Sequence, residues 1–309
     1  MLVFSDFRNP ASLALALSQT LALYPYLLGL RTQSLNTGFP SRKGIAYHGL
    51  AYSISSFFKM LSSDNPLRLQ KYLADMGLCS RRTAEGYIRD GAITVNGKIA
   101  QIGDKITPGT DEIIYEGQRI RHRKQGQIVF ALNKPKGFIC SNEDPHNERT
   151  VFELLPKDYA TIRLFCAGRL DKDSEGLVIL TNDGDLANQL MHPSNLVVKR
   201  YHVSLKQGYP TSKINKLVKG VSYEGQRLKI EKATLLGNQN KDSSKELDVW
   251  MHHGKKREIR NLFMVLGFDV VRLKRYQIGR YSIKGMPKGA GVILQENDIK
   301  KLFQHEETI

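Results

Sequence analysis

Cys166-Ala-Gly-Arg-Leu-Asp-Lys-Asp-Ser-Glu-Gly-Leu-Val-Ile-Leu-Thr-Asn-Asp-Gly-Asp185 is the stretch on which the reading of this 309-residue chain turns. Its apolar run, 177–180, is short enough for a buried strand, and Asn182-Asp183-Gly184 closes it with turn chemistry. The polar loop before it, 168–176, carries Asp171 between Arg169 and Lys172. Flanking cations favour an ionised carboxylate, the state needed for a nucleophile or base at neutral pH. A solvated loop with a surface ion pair has the same composition, so these residues alone leave both readings open.

Outward from that stretch, 309 residues allow two domains with separate cores. The chain is 41% hydrophobic and 25% charged, as in ordinary globular proteins, but 46 Lys+Arg against 30 Asp+Glu leave a net charge of +16. That excess points to a polyanionic partner, nucleic acid rather than membrane, because no basic amphipathic helix stands out. Cys79, Cys140 and Cys166 are widely spaced, which suits a reducing compartment and excludes a disulfide framework or a zinc site. His192, His202, His252 and His253 have no carboxylate or thiol at ligand spacing, so no metal is expected.

Residues 1–62 differ from the rest. Asp6 is their one acid, against Arg8, Arg31, Arg42, Lys43 and Lys59, and the apolar run 11–30 is too broken to span a membrane. They read as a dispensable, disordered extension. It arises from a misread start, with Met60 the true first residue, or from an organelle transit peptide.

Residues 65–121 have the pattern of a compact module. Leu69, Tyr72, Leu73 and Met76 recur at helical spacing up to Gly77. Ser80 is an N-cap for a second helix that turns Ala84, Tyr87 and Ile88 inward. Ile93-Thr94-Val95 alternates like a strand, and Asn96-Gly97 is a hairpin turn. Arg81, Arg82, Arg89, Lys98 and Lys105 supply a basic face. A basic linker follows over 122–127. Beyond it come a strand at 128–132, the loop Asn133-Lys-Pro-Lys-Gly137, a helical turn at 151–155 and the central loop and strand. Asp185 is expected to cap a helix holding Leu186, Leu190 and Met191. In the strand 197–205, Lys199, Tyr201 and Val203 share a face. Residues 238–245 read as a flexible loop. The helix 257–268 buries Ile259, Leu262, Phe263 and Leu266, and presents Arg257 and Arg260 as a fork for a carboxylate or phosphate. Two strands, 270–273 and 277–283, complete the pattern.

Two sets of motifs carry a family resemblance. Arg68-Leu-Gln-Lys-Tyr-Leu-Ala74, Cys79-Ser-Arg-Arg-Thr-Ala-Glu85 and Asp90-Gly-Ala-Ile-Thr-Val-Asn-Gly-Lys98 resemble the small RNA-binding domain first named in the fourth small-subunit ribosomal protein. Gly168-Arg-Leu-Asp171, with Gly176-Leu-Val-Ile-Leu-Thr-Asn-Asp-Gly-Asp-Leu-Ala187, resembles the signature loop of pseudouridine synthases. Lys199-Arg-Tyr-His-Val203 is similar to that family's Lys-x-Tyr-x-Val strand, and Lys256-Arg-Glu-Ile-Arg-Asn261 to its basic third motif. The motif order matches the bacterial RsuA branch, which modifies ribosomal RNA.

The resemblance implies an α+β fold: a helical-hairpin RNA-binding domain, then a catalytic domain (128–303) with a mixed, mostly antiparallel sheet and flanking helices. It implies isomerisation of one uridine in ribosomal RNA or a pre-ribosomal particle, by a cytoplasmic monomer without a small-molecule cofactor or membrane partner. An organelle matrix is the alternative if 1–62 is a transit peptide. By the same resemblance Asp171 is the catalytic carboxylate and Tyr201 stacks on the base or assists proton transfer. Arg260 pairs with Asp171, and Ile259 packs near the base. Arg169, Leu170, Lys172 and Arg257 bind substrate, with Arg169 and Lys172 steadying the flipped nucleotide's phosphates. Large-subunit RNA is the favoured target. The rivals are a non-catalytic RNA-binding assembly factor and a two-carboxylate glycosidase. Asp171 and Asp173 stand too close on one loop for the second.

Overall fold

A computed structural model describes residues 66–120, 126–142, 148–159, 161–237 and 242–304. The extension 1–62 and most of the basic linker lie outside the described residues.

The first module is assembled around ten small and apolar side chains between Leu69 and Ile113. Strand β1 (Leu67–Arg68) runs into α1 (Leu69–Asp75), whose Leu69, Tyr72 and Leu73 face inward. Helix α2 (Arg81–Arg89) starts at Ser80, whose hydroxyl accepts from the Thr83 amide at 3.0 Å, and it buries Ala84 and Ile88. Asn96 and Gly97 adopt φ of 51° and 77°, the left-handed pair of a two-residue hairpin joining β2 (Ile93–Val95) to β3 (Lys98–Ile99). β4 (Lys105–Ile106) returns to β1, while β5 (Ile113–Tyr115) and β6 (Gln118–Arg119) complete a sheet of order β3-β2-β5-β6.

The larger domain begins with β7 (Val129–Lys134), β8 (Phe165–Cys166) and β9 (Glu175–Thr181). Helix α3 (Gly184–Met191), the long β10 (Lys199–Pro210) and α4 (Ile214–Lys219) follow. Then come β11 (Val221–Tyr223), β12 (Gln226–Leu228), β13 (Lys232–Leu235) and β14 (Ser243–Met251). The last elements are α5 (Glu258–Val265), β15 (Val270–Ile278), β16 (Tyr281–Ser282), β17 (Gly291–Ile293) and α6 (Glu296–Phe303). Nine strands form one sheet, β13-β14-β10-β15-β9-β7-β17, with β16 on β15 and β8 on β9. Each named pairing is antiparallel except β15–β9. The fold is thus the expected α+β arrangement.

Burial explains the contrast between the central strands. In β9, Val178 and Leu180 join one apolar cluster while Leu177 and Ile179 join another, so both faces are covered and the sequence shows a continuous apolar run. In β10, Tyr201, Val203 and Leu205 are buried and the intervening Arg200, His202 and Ser204 are not, so the sequence alternates. Arg200 lies over the Trp250 ring on that second face, 4.3 Å from its centroid, and pairs with the buried Asp248.

Three local expectations are corrected. Asp183, not Asp185, caps α3: the helix opens at Gly184, so the Asp183 carboxylate is the one that accepts from the Asp185 and Leu186 amides, at 2.8 and 3.0 Å. Met191, the last residue of α3, is 47% exposed. Strand β14 already begins at Ser243, inside the stretch read as a loop, because Ser243 and Ser244 pair with Pro210 and Tyr209. Residues 270–278 form one strand instead of two, since β10 pairs with it from Val270 to Ile278 across two bulges.

Candidate active site

Asp171 lies in the loop between β8 and β9, and the position of that loop depends on a lysine. Lys134, at the end of β7, is wholly buried. Its ammonium donates to the carbonyls of Pro135 (3.1 Å), Asp171 (3.1 Å), Lys172 (3.4 Å) and Ser174 (2.6 Å). Burial holds its pKa below the usual lysine value, while Cys140 and the acids of the loop pull the other way. A buried ammonium is tolerated because carbonyl dipoles replace its water. The Gly137 amide donates to the Lys172 carbonyl (2.9 Å), the Leu170 amide to the Cys140 thiol (3.5 Å) and the Ser174 amide to the Asp171 carbonyl (3.0 Å). The backbone around Asp171 is therefore pinned from three sides. Its carboxylate has no hydrogen-bond or ion-pair partner among the described residues.

Behind the loop, Gly176 is required by close approach. It sits at φ 110° opposite Arg275 in the parallel β9–β15 register, and a Cβ there would meet the Arg275 main chain.

Asp171 opens into a cleft of about 630 Å³, a volume suited to a single nucleotide. Tyr201, 7% exposed, and Ile259, 4% exposed, line it, as do Arg169, Leu170, Lys172 and Arg257. Seven of the eight expected active-site residues thus surround one cavity.

Arg260 does not, and the expected Arg260–Asp171 pair is not formed. The turn closed by Ser174 carries Asp173, not Asp171, toward α5. Arg260 donates to the Asp173 carbonyl (3.1 Å) and the Val270 carbonyl (3.0 Å), and it lines a neighbouring cleft. Arg257 pairs with the Asp173 carboxylate at 3.4 Å. The arginine fork therefore grips the loop two residues beyond Asp171. Burial, then repulsion from Arg257, lowers the Arg260 pKa, while Asp173 and Asp171 act in the opposite sense.

Lys172 is also committed locally, to Glu148 at 2.6 Å. Arg257 itself lies just before α5, in a left-handed conformation. Next to it the buried Glu258 accepts from the Lys255 amide (2.8 Å) and faces His253 Nδ1 (3.0 Å), which shapes the rim of the cleft. Lys134 was missed by sequence reasoning. Its only signal was a lysine two positions beyond the apolar run Val129-Phe-Ala-Leu132.

Among the basic residues of the first module, Arg82, Arg89, Lys98 and Lys105 are exposed to solvent. Arg81, also exposed, lies against Gly184 at the start of α3, and Lys71 pairs with Asp75 (2.9 Å) and Asp185 (3.4 Å). These polar contacts join the module to the larger domain.

Comparison with known proteins finds both domains. The family described as RNA pseudouridylate synthase matches residues 128–264, and the S4 domain matches 67–113. The ribosomal large subunit pseudouridine synthase B of Bacillus subtilis is 34% identical over 239 residues, 76% of this chain and 95% of that protein. The chain belongs to the pseudouridine synthase family. A second relative, the dual-specificity RNA pseudouridine synthase RluF of Escherichia coli K12, is 34% identical across 78% of this chain and 80% of its own length. The crystal structure of a pseudouridylate synthase superposes with a TM-score of 0.54 at 30% identity, covering 76% of this chain and 99% of that one. This pseudouridine synthase is therefore an RNA-modifying enzyme with an S4 domain ahead of its catalytic sheet.

Proposed function

We propose that this pseudouridine synthase isomerises one uridine of large-subunit ribosomal RNA, with Asp171 as the catalytic carboxylate. The observation that carries the reading is an unpartnered carboxylate on a loop pinned by a buried lysine, facing a nucleotide-sized cleft beside Tyr201. Such an enzyme takes the base out of its stack, at a cost of a few kcal/mol offset by contacts in the pocket. Tyr201 stacks on the extruded uracil or assists proton transfer, and Ile259 and Leu170 provide apolar contact. Arg169, Lys172 and Arg257 meet phosphates at the rim. Arg260 acts through the Asp173 carbonyl as a positioning residue for the loop.

The S4 domain, 65–121, is the RNA-docking domain, working mainly through phosphate and shape. The protein acts as a monomer without a cofactor. The choice of large-subunit RNA is supported by the names of the Bacillus subtilis and Vibrio cholerae relatives, both large-subunit synthases. No helix among the described residues is long and apolar enough to cross a membrane. The cytoplasm is the proposed compartment. A relative from Arabidopsis thaliana whose name includes the word chloroplastic keeps an organelle matrix as the alternative, with 1–62 as its transit peptide.

Chemical mapping of pseudouridine in ribosomal RNA, with and without the gene, tests the assignment. One large-subunit position should lose its signal and regain it with the wild-type gene but not with Asp171→Asn. A deletion strain with every modification intact would overturn it.

A further inference from the structure

Two cations on the sheet side of the cleft are not used by the roles above. Lys199 stands two residues before Tyr201 on β10, and Arg275 is the register partner of Tyr201 on β15, so all three share one face of the sheet. Both cations line the same cleft as Asp171. Neither forms an ion pair among the described residues. The Lys199 ammonium donates to the His252 carbonyl at 3.0 Å and the Arg275 Nε to the Leu177 carbonyl at 2.7 Å. Arg275 is 4% exposed, and its Nη2 is buried without a partner.

A purely structural role accounts for only part of this. Arg275 staples β15 to β9 through Nε, which leaves Nη2 and the neighbouring ammonium unexplained. Two adjacent positive charges at a half-dry site are unfavourable unless a negative charge joins them. Asp171 is the acid on the lining loop, and its carboxylate pairs with neither.

We propose that Lys199, backed by Arg275, is a cationic subsite for an anionic oxygen of the target nucleotide. This rests on the reading of Asp171 and Tyr201 as the reaction centre. Two oxygens have the required chemistry. One is a phosphate oxygen, charged throughout. The other is O2 or O4 of uracil, charged as the ribose C1′–N1 bond breaks and its electron pair passes to the ring. Lys199 then donates a hydrogen bond and transfers no proton. The ring re-forms a bond from C5 to C1′, C5 loses its proton, and N1 gains one, so the product is an isomer. A contact made only as charge develops raises kcat, whereas a phosphate contact improves binding.

The state of Lys199 agrees with a poised group. Burial first, and the field of Arg275 second, hold its pKa down to about 8. The titratable or charged groups that line the cleft with it are Arg275 on β15, Tyr201 on its own strand, Cys140, Arg169, Asp171 and Lys172 on and around the catalytic loop, and His252, His253, Lys255, Lys256, Arg257 and Glu258 between β14 and α5. The protonated fraction of Lys199, and any activity that requires it, should decline as the pH rises through about 8.

The test uses the full-length enzyme and an unmodified large-subunit rRNA transcript labelled with [5-³H]uridine, read by tritium release and by RNA binding. Lys199→Gln should keep the wild-type melting temperature and lose ~100-fold in kcat/KM. Lys199→Arg should retain most activity and lose the alkaline decline, because a guanidinium stays charged there. A fall in kcat at constant KM assigns the uracil oxygen; a rise in KM at constant kcat assigns the phosphate. Wild-type activity in Lys199→Gln, or an unaltered alkaline decline in Lys199→Arg, overturns the subsite. Asp171→Asn runs alongside: if it is inactive while Lys199→Gln is active, only the subsite fails, whereas an active Asp171→Asn removes the reaction centre itself.

Discussion

Lys134 and Lys98 have the same side chain and contribute equally to the net charge of +16, yet they do opposite things. Lys134 is wholly buried and satisfied by four main-chain carbonyls of the catalytic region; Lys98, on the S4 hairpin, is exposed. The inner cations build the cleft, and the outer ones are proposed to set its attraction for RNA. A charge count reports the outer population well, because solvated charges act at a distance on a polyanion. It is silent about the inner one, whose effect comes from dehydrated hydrogen bonds at fixed positions.

Substitution separates the two populations, and the largest effect belongs to Lys134. Lys134→Met should lower stability by about 3 kcal/mol, because it leaves buried carbonyls unpaired. Activity should fall further than the folded fraction does, since the Asp171 loop loses its anchor. Urea unfolding and tritium release measure the two, and a variant that is stable and active would remove the distinction.

Glu175 is intermediate. It is buried at the start of β9, where Arg272 and Lys288 hold it, the latter at 3.0 Å. Burial raises its pKa, but those two cations outweigh burial and the net shift is downward. Its contribution is therefore present above the ordinary carboxylate value of 4.5 and is lost as the pH falls through the lower folded value. Glu175→Gln should cost about 1–2 kcal/mol near neutrality and flatten the acid limb of a stability–pH curve. An unchanged acid limb would reassign that limb to other carboxylates.

The smallest effect on folding is expected from the outer set. Lys98→Gln with Lys105→Gln should leave the melting temperature unchanged. It should weaken RNA binding several-fold and reduce the salt slope by about 1 for each phosphate that is no longer neutralised. A drop in stability instead would place these lysines with the inner group.

Much of this architecture was legible in the chain because it depends on neighbours in sequence. The apolar run of β9, the alternation of β10, the Ser80 cap and the Asn96-Gly97 turn each follow from interactions within a few residues. Most of the candidate site was legible for the same reason, since Arg169, Leu170, Asp171 and Lys172 share one loop. What was not legible depends on distant segments meeting. Lys134 reaches carbonyls 37 to 40 positions away, and Gly176 is demanded by the main chain of Arg275. The partner of Arg260 is not legible either, because a turn between Asp171 and Ser174 decides which carbonyl faces α5, and side-chain charge does not reveal a main-chain acceptor.

At the centre of this enzyme, one unpaired carboxylate, on a loop held in place by a buried lysine, is proposed to perform the isomerisation. Single-turnover tritium release from [5-³H]uridine-labelled large-subunit rRNA, comparing wild type with Asp171→Asn at equal folded concentration, tests it most directly. Retained RNA binding with a rate reduced by at least ~10³-fold is the predicted result, because a neutral amide is neither nucleophile nor base. Wild-type turnover by the asparagine enzyme would contradict the account.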